Sequence, residues 1–116
     1  MKMVHRGEVY WADLQGAMGC EQKGNRPVLI LQNDVGNYFS QTTIVATMTH
    51  FQRDKRFPTH VAIESVHDSC TYEATTVQLE QLRTIDKHRL GRYICTLSKN
   101  EMRMIDRALR LSLQLV

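Results

Sequence analysis

Residues 20–34, CEQKGNRPVLILQND, run from a polar, glycine-containing loop straight into a strongly apolar segment. The apolar run at residues 28–31 is short, which predicts a strand buried on both faces. Arg26 and Pro27 stand where the loop enters this strand, so the strand would hold the arginine in place. A guanidinium held in this way can meet a phosphate with a planar, permanently charged fork. The alternative is a surface arginine that merely ends a loop.

Further strands are predicted on both sides of this segment. They fall where apolar and polar residues alternate or where Val, Ile and Thr are concentrated, at residues 8–14, 42–49, 60–64 and 75–83. Residues 33–40 contain Gly36 and Asn37 and are predicted to form a turn-rich loop. Trp11, within the first strand, is predicted to lie in the core. At least five short strands indicate a mainly β protein built on a small barrel or curled sheet.

Near the C-terminus the spacing of apolar residues changes from the alternation of a strand to the spacing of a helix. Ser98 and Glu101 have the spacing of a capping box, which predicts that a helix begins there. Apolar residues then recur every three or four positions and give the helix one apolar face. They are Met102, Ile105, Leu109, Leu113 and Val116. A stripe of this kind predicts burial in the core or at a subunit interface, not a cofactor site.

Composition fits one globular domain over residues 1–116, with 42% apolar and 23% charged residues. The net charge of +3 is too small to indicate nucleic-acid binding by itself. Arg53, Lys55 and Arg56 cluster in a predicted loop that could follow a phosphate backbone. A solvated loop tip is the plainer explanation of that charge run.

The N-terminus has no signal-like apolar run, and a cytoplasmic protein is expected. Cys20, Cys70 and Cys95 lack Cys-x-x-Cys spacing and are odd in number, which predicts free thiols. His67 and Cys70 have no second pair at ligand spacing, so no metal site and no cofactor are predicted. Motifs for a phosphate-binding loop, a nucleophile elbow or a zinc protease are missing from the sequence, which disfavours those hydrolase classes.

The chain resembles the MazF/PemK family of toxin endoribonucleases over nearly its whole length. The matching blocks follow the family's order at residues 6–14, 19–22, 26–29, 32–34, 44–46, 49, 58–61 and 79–86. The resemblance implies an SH3-like barrel of the MazF/PemK/CcdB type with a C-terminal helix. It also implies a homodimer and a MazE-like antitoxin as partner.

The implied activity is that of a sequence-specific, metal-independent endoribonuclease, an mRNA interferase of a type II toxin-antitoxin system. Such an enzyme cleaves single-stranded RNA and leaves 2′,3′-cyclic phosphate and 5′-hydroxyl ends. Arg26 and Thr49 match the family's catalytic arginine and threonine. His60 is predicted to help as a catalytic residue, because an imidazole titrates near neutral pH. The alternative for His60 is a strand histidine satisfied by a backbone group.

RNA contacts are expected from residues in segments that match the family: Cys20, Glu21, Gln22, Asn33, Glu80, Gln81 and Arg83. Arg53, in the basic loop, is a further expected RNA contact. Glu21 could instead orient Arg26 through a salt bridge, since a carboxylate repels phosphate. Asn33 is explained equally well as a turn-capping side chain. Cys20 stands where many family members have a hydroxyl, so its contact to RNA would be weaker.

A second class of function stays open at this point. The SH3-like toxin CcdB has the implied fold and poisons DNA gyrase by binding it, so the fold alone cannot separate a nuclease from a binding module. A catalytically silent relative that binds only RNA or antitoxin is a third possibility. The feature that favours a nuclease is Arg26 together with Thr49 in a MazF-like context.

Overall fold

The computed structural model describes residues 3–16, 24–49, 57–63 and 75–115, and this part of the chain contains six strands, two α-helices and one 3₁₀ turn. The elements in order are β1 (Glu8–Asp13), β2 (Asn25–Ile30), α1 (Asp34–Phe39), β3 (Thr42–Thr49), β4 (His60–Ile63), β5 (Thr75–Asp86), the 3₁₀ turn (Lys87–Arg89), β6 (Leu90–Thr96) and α2 (Lys99–Leu113). Within the described residues, no helix has the length and apolarity needed to cross a bilayer.

The strands form one curled antiparallel sheet in the order β4-β5-β3-β2-β1-β6. This confirms the predicted mainly β, SH3-like architecture with a terminal helix. The sequence does not predict β6, because this outermost strand is largely exposed and its apolar residues do not alternate. The sequence pattern also predicts that β2 begins too late, at residue 28, because Pro27 is typical of the end of a loop. In the structure Arg26 already lies inside β2, paired with Ala12 of β1.

The longest strand, β5, is broken in the middle. Ala46 of β3 pairs with Leu82, whereas the next residue, Thr47, pairs with Gln78, so residues 79–81 form a bulge between two paired stretches. The bulge finds other partners for its backbone. The Leu79 amide donates to the Thr59 carbonyl at 2.9 Å, and the Leu79 carbonyl accepts from the Ser112 hydroxyl of α2 at 2.7 Å. A bulge of this kind bends a strand and re-aims its side chains.

Consecutive residues of the central strands enter two different cores. One core lies under α2 and includes Leu29, Met48, Val77 and Leu79, packed with Ile105 of the helix. The other lies on the opposite face of the sheet. Its members include Tyr10, Leu14, Val28, Ile30, Val45 and Ile85. The period of two in a pleated strand therefore divides the apolar residues between the two faces.

The predicted loop at residues 33–40 is wrong, because α1 occupies most of it. Asn33 caps this helix, with its side chain accepting from the Gly36 amide at 2.8 Å. The helix is inverted relative to the usual pattern, since its apolar residues face outward. Val35, Tyr38 and Phe39 are 69%, 61% and 76% exposed. An apolar outer face and internal Gly and Asn residues give no amphipathic helical signal, which explains the error.

The inner side of α1 is held by polar contacts around Asn37, which is buried. The Asn37 side-chain oxygen accepts from the Thr43 hydroxyl at 2.8 Å and from the Gln32 amide at 3.2 Å. Its amide group donates to the Gln32 carbonyl at 2.9 Å. The buried ammonium of Lys87 donates to the Asn37 carbonyl. This network fixes α1 without an apolar interface, and Lys87 supplies the positive charge that favours a helix C-terminus.

The capping box of α2 is confirmed, with reciprocal bonds between Ser98 and Glu101. The apolar stripe is confirmed over its first half only. Ile105 is fully buried, and Met102 and Leu109 pack against the core, but Leu113 is half exposed. The last member of the predicted stripe, residue 116, lies outside the described residues.

Truncation of Ile105 should destabilise the protein strongly. Ile105→Ala removes a side chain with no exposed area, so we expect the free energy of unfolding to fall by about 2–5 kcal/mol. The matched control is Leu111→Ala on the same helix, where the side chain is 57% exposed and the expected change is within about 0.5 kcal/mol. Urea unfolding followed by circular dichroism measures both. Equal losses would contradict the burial of α2 described here.

Candidate active site

A patch of buried polar side chains lies on the sheet face opposite α2. It consists of Thr47, Thr49, Thr76 and Gln78, which are 3%, 3%, 2% and 8% exposed. Thr47 pairs with Gln78 and Thr49 pairs with Thr76 between β3 and β5. Paired residues of antiparallel strands point to the same side, so the four side chains share one surface. The Thr47 hydroxyl donates to the Gln78 side-chain oxygen at 3.2 Å. We call this patch the polar floor.

Arg26 joins the polar floor from the neighbouring strand. β2 and β3 pair Val28 with Thr47, and continuing this register by two residues sets Arg26 opposite Thr49. The two residues therefore share a face, with backbones about 5 Å apart. Arg26 is half-buried, which limits the positions its guanidinium can take. The structure thus brings together the arginine and the threonine that the sequence singles out.

The start of β2 is held in place by its hairpin partner. The Leu14 amide donates to the Gly24 carbonyl at 3.0 Å, so hydrogen bonding between the β1 and β2 arms reaches past the first residue of β2. Gly24 has φ +85°, a backbone conformation that other residues rarely adopt. Arg26 is two residues inside this bonded arm. The geometry favours a positioned arginine over one that merely ends a loop.

His60 and Glu80 form a close pair beside the polar floor. His60 pairs with Gln78 across β4 and β5, which puts it on the same face. Its Nε2 lies 2.6 Å from Glu80 Oε2, and the other carboxylate oxygen accepts from the Thr59 hydroxyl at 3.0 Å. The Phe57 ring stacks on the imidazole with a centroid separation of 4.9 Å. The side chain of His60 is 12% exposed and is held by a carboxylate, not by a backbone group.

Arg83 holds the end of the first strand. Its guanidinium donates to the Leu14 carbonyl at 3.2 Å and to the Gln15 carbonyl at 3.1 Å. Arg89, which the sequence does not single out, donates to the Asp13 carbonyl at 3.3 Å and to the Gln15 carbonyl at 2.9 Å. Contact of Arg83 with RNA stays a prediction, and its described contacts are to the backbone. Gln81 lies half-buried in the bulge of β5.

Asn33 is not brought to the polar floor within one chain. It follows the far end of β2, whereas Arg26 stands near the start of that strand. Because strands rise about 3.3 Å per residue, the two are roughly 20 Å apart along the chain path. Its side chain caps α1, in line with the capping alternative. Four further predicted RNA contacts lie outside the described residues: Cys20, Glu21, Gln22 and Arg53.

Trp11 is not a core residue, contrary to the prediction. It is half-buried and lines a shallow groove with Asn25, His88 and Arg89. It belongs to neither of the two apolar cores. On the same face of β1, Val9 belongs to the core under α2, whereas Trp11, two residues further along, lies outside it.

Two titratable groups near the sheet have shifted pKa values with structural causes. Burial, reinforced by the hydrogen bond to Glu8, raises the pKa of Tyr10 above its usual range, so the phenol stays neutral. Hydrogen bonds from the His88 amide and ring lower the pKa of Asp86, which caps the 3₁₀ turn. Among the described residues, no group of three or more His, Cys, Asp and Glu is arranged to hold a metal ion. Cys95 is a free thiol.

The sequence could have indicated the polar floor more fully. Thr47 and Thr49 alternate with apolar residues in β3, and Thr76 and Gln78 do the same in β5. Polar residues at alternate positions of strands whose other face is apolar indicate a polar surface. Their burial, by contrast, depends on tertiary contacts that a single-strand pattern does not reveal.

The sheet with its covering helix is the fold of solved toxin structures. One is described as an endoribonuclease in complex with its cognate antitoxin from a mycobacterial species. It matches with a TM-score of 0.80 and 27% identity, and the match covers 97% of each chain. The fold and the site therefore define a small toxin-like barrel with an arginine and a threonine on the sheet face opposite the helix.

Sequence relatives make the assignment more specific. Endoribonuclease EndoA of Bacillus subtilis (strain 168) is 46% identical over 114 residues, which cover 98% of this chain and 97% of EndoA. Endoribonuclease MazF of Staphylococcus epidermidis is 45% identical over 113 residues, which cover 97% and 93% of the two chains. The model of the PemK-like, MazF-like toxin family of type II toxin-antitoxin systems matches residues 5–113, and the chain belongs to this family.

Removal of the Arg83 guanidinium should loosen the end of β1. Arg83→Met deletes two charged hydrogen bonds to carbonyls, so we expect a loss of about 1–2 kcal/mol in stability. Hydrogen exchange measured by mass spectrometry should also become faster around residues 14–16. Arg107→Met, at an exposed position on α2, serves as the matched control and should change neither quantity. Unchanged exchange in Arg83→Met would show that its carbonyl contacts contribute little.

Proposed function

We propose that this chain is a sequence-specific endoribonuclease toxin that cleaves single-stranded RNA without a metal ion and leaves 2′,3′-cyclic phosphate and 5′-hydroxyl ends. The observation that carries the proposal is the shared face of Arg26 and Thr49, set by the register of β2 and β3. Relatives named as endoribonucleases at 46% and 45% identity support the same activity.

The reaction needs three groups. The 2′-oxygen forms a bond to the neighbouring phosphorus, the bond from phosphorus to the 5′-oxygen breaks, and the leaving oxygen takes a proton. Arg26 would bind the scissile phosphate bidentately and stabilise the charge that gathers on it in the transition state. Thr49 would donate its hydroxyl to a phosphate oxygen. Both groups act on the same phosphate because they face each other across neighbouring strands.

A third group must move the proton, because a guanidinium barely titrates in proteins. Among the described residues near this face, His60 is the candidate for this role, because an imidazole is the commonest general acid or base in enzymes. Its strand is two positions from β3 in the sheet and His60 is aligned with Thr47, so its backbone lies about 12 Å from that of Thr49, two residues further along β3. The gap leaves room for a ribose and its phosphate between the side chains.

RNA would lie across the polar floor, with bases read by neighbouring side chains. Glu21, Gln22, Gln81 and Arg83 stay proposed contacts on the basis of the family resemblance. Single-stranded RNA is read in this way, because splayed bases expose edges for hydrogen bonds. Such an enzyme would act in the cytoplasm, where mRNA is available.

The proposed partners are a second copy of the chain and a MazE-like antitoxin. Support for the antitoxin comes from the mycobacterial endoribonuclease, which was solved in complex with its cognate antitoxin. A flexible acidic segment could cover the Arg26 face and exclude RNA by charge complementarity. The family assignment favours this nuclease over the gyrase-binding alternative, because the matched family is MazF-like.

The first test is cleavage of a long RNA of mixed sequence in EDTA, followed by mapping of the cut sites and chemical analysis of both new ends. We expect cuts at one short motif, with cyclic-phosphate and 5′-hydroxyl ends. Arg26→Ala should lower the rate by on the order of 10²- to 10³-fold, because transition-state charge loses its donor. Arg26→Lys should recover only part of it, since an ammonium cannot bind bidentately.

Thr49 has its own matched pair of variants. Thr49→Ser keeps the hydroxyl and should stay active, whereas Thr49→Val keeps the shape and should lose activity. Lys99→Met, at an exposed position at the start of α2, should cleave like the wild type. Well-folded protein that leaves RNA intact would refute the nuclease and favour a binding module, and a full rate in Arg26→Ala would remove that residue from the mechanism.

A further inference from the structure

The side chains of His60 and Glu80 are held by several contacts within the protein. A carboxylate that only reads RNA would not need them. Both oxygens of Glu80 are engaged, one by the imidazole at 2.6 Å and the other by the Thr59 hydroxyl at 3.0 Å. The Phe57 ring lies nearly parallel to the imidazole, with an interplanar angle of 13°. These contacts fix the ring of His60 in plane and in direction.

We propose that Glu80 is a positioning residue that binds the Nε2–H of His60 and leaves Nδ1 as the atom that takes the proton from the 2′-hydroxyl of RNA. This inference rests on the proposed nuclease function and names the nitrogen that would act. A carboxylate on one ring nitrogen fixes the tautomer and stabilises the positive ring that forms when the other nitrogen is protonated. The sequence, in contrast, favours Glu80 as an RNA contact.

The register of β4 and β5 brings this pair together. His60 pairs with Gln78, two residues before Glu80, and the Leu79 amide donates to the Thr59 carbonyl, so the contact between the two strands continues into the bulge. That backbone bond brings Glu80 beside the turn that leads into β4. The side chain and the backbone of the bulge therefore both contact the segment that carries His60.

The proton balance of the step is complete. The 2′-oxygen bonds to phosphorus as its proton moves to His60 Nδ1, and the bond between phosphorus and the 5′-oxygen breaks. The 5′-oxygen takes a proton from water, and the hydroxide that results accepts the proton from His60. The enzyme returns to its starting state, with Glu80 bonded to Nε2–H throughout.

The test combines NMR with cleavage kinetics on Glu80→Ala and Glu80→Gln. In the wild type, the Nε2 proton of His60 should give a slowly exchanging resonance, because a carboxylate binds it. Glu80→Ala should lose that resonance and lose about 10- to 100-fold in kcat, the range found when a supporting carboxylate is removed. Glu80→Gln retains an oxygen acceptor, so it should recover part of the Nε2–H resonance and part of kcat.

A second readout separates positioning from RNA contact. Binding of an RNA with a 2′-deoxy scissile nucleotide, which cannot be cut, should change by less than about threefold in either variant if Glu80 acts through His60. Asp86→Asn is the matched control, since Asp86 contacts His88 at 2.8 Å on the surface. It should leave kcat unchanged.

The outcomes are distinct. If Glu80→Ala keeps the Nε2–H resonance and the wild-type kcat but alters RNA affinity or the cut motif, Glu80 reads RNA and the inference is overturned. If the wild type cleaves no RNA, the nuclease function itself fails, and the NMR result still decides whether Glu80 holds His60. Loss of both the resonance and kcat with unchanged RNA affinity supports the inference.

Discussion

The interruption of β5 is the feature on which the arrangement of the molecule depends. Residues 76–78 of β5 pair with β3 on one edge and with β4 on the other, whereas residues 79–81 have no partner in β3. The break lets the first half carry Thr76 and Gln78 into the polar floor. It frees Leu79, whose side chain fills the core under α2 and whose carbonyl bonds to Ser112. An unsatisfied buried backbone group would cost about 1–3 kcal/mol, so these substitute bonds are needed for the bulge to persist.

The two faces of the sheet have different tasks as a result. The apolar core under α2 supplies much of the burial that stabilises the fold. The other face is apolar at one end and polar at the other, where Thr47 and Thr49 replace aliphatic residues. A β-strand assigns alternate residues to alternate faces, so one short segment can contribute to stability and to chemistry at once. Arg26 shows this economy, since residues 28–30 of the same strand are core residues.

Sequence patterns predicted the elements that are determined by neighbouring residues in the chain. The bounds of β3 and the cap of α2 follow from β-branched residues and from one Ser–Glu spacing, and both are confirmed. The strand β6 has no such pattern because it lies at the edge of the sheet. The pairing of His60 with Glu80 joins residues far apart in sequence, and the register of β4 and β5 brings them together. No periodicity in a single sequence encodes which strands pair or in which register.

The inverted helix α1 has a thermodynamic consequence. Its attachment to the barrel is made of hydrogen bonds around Asn37 and of the Lys87 ammonium, while its apolar residues already face solvent. Opening this helix alone would expose polar surface and little new apolar surface. Apolar exposure raises the heat capacity and polar exposure lowers it, so this local opening has a small or negative heat-capacity change. The free energy of detaching α1 therefore changes almost linearly with temperature. The free energy of unfolding the two apolar cores, in contrast, follows a curve.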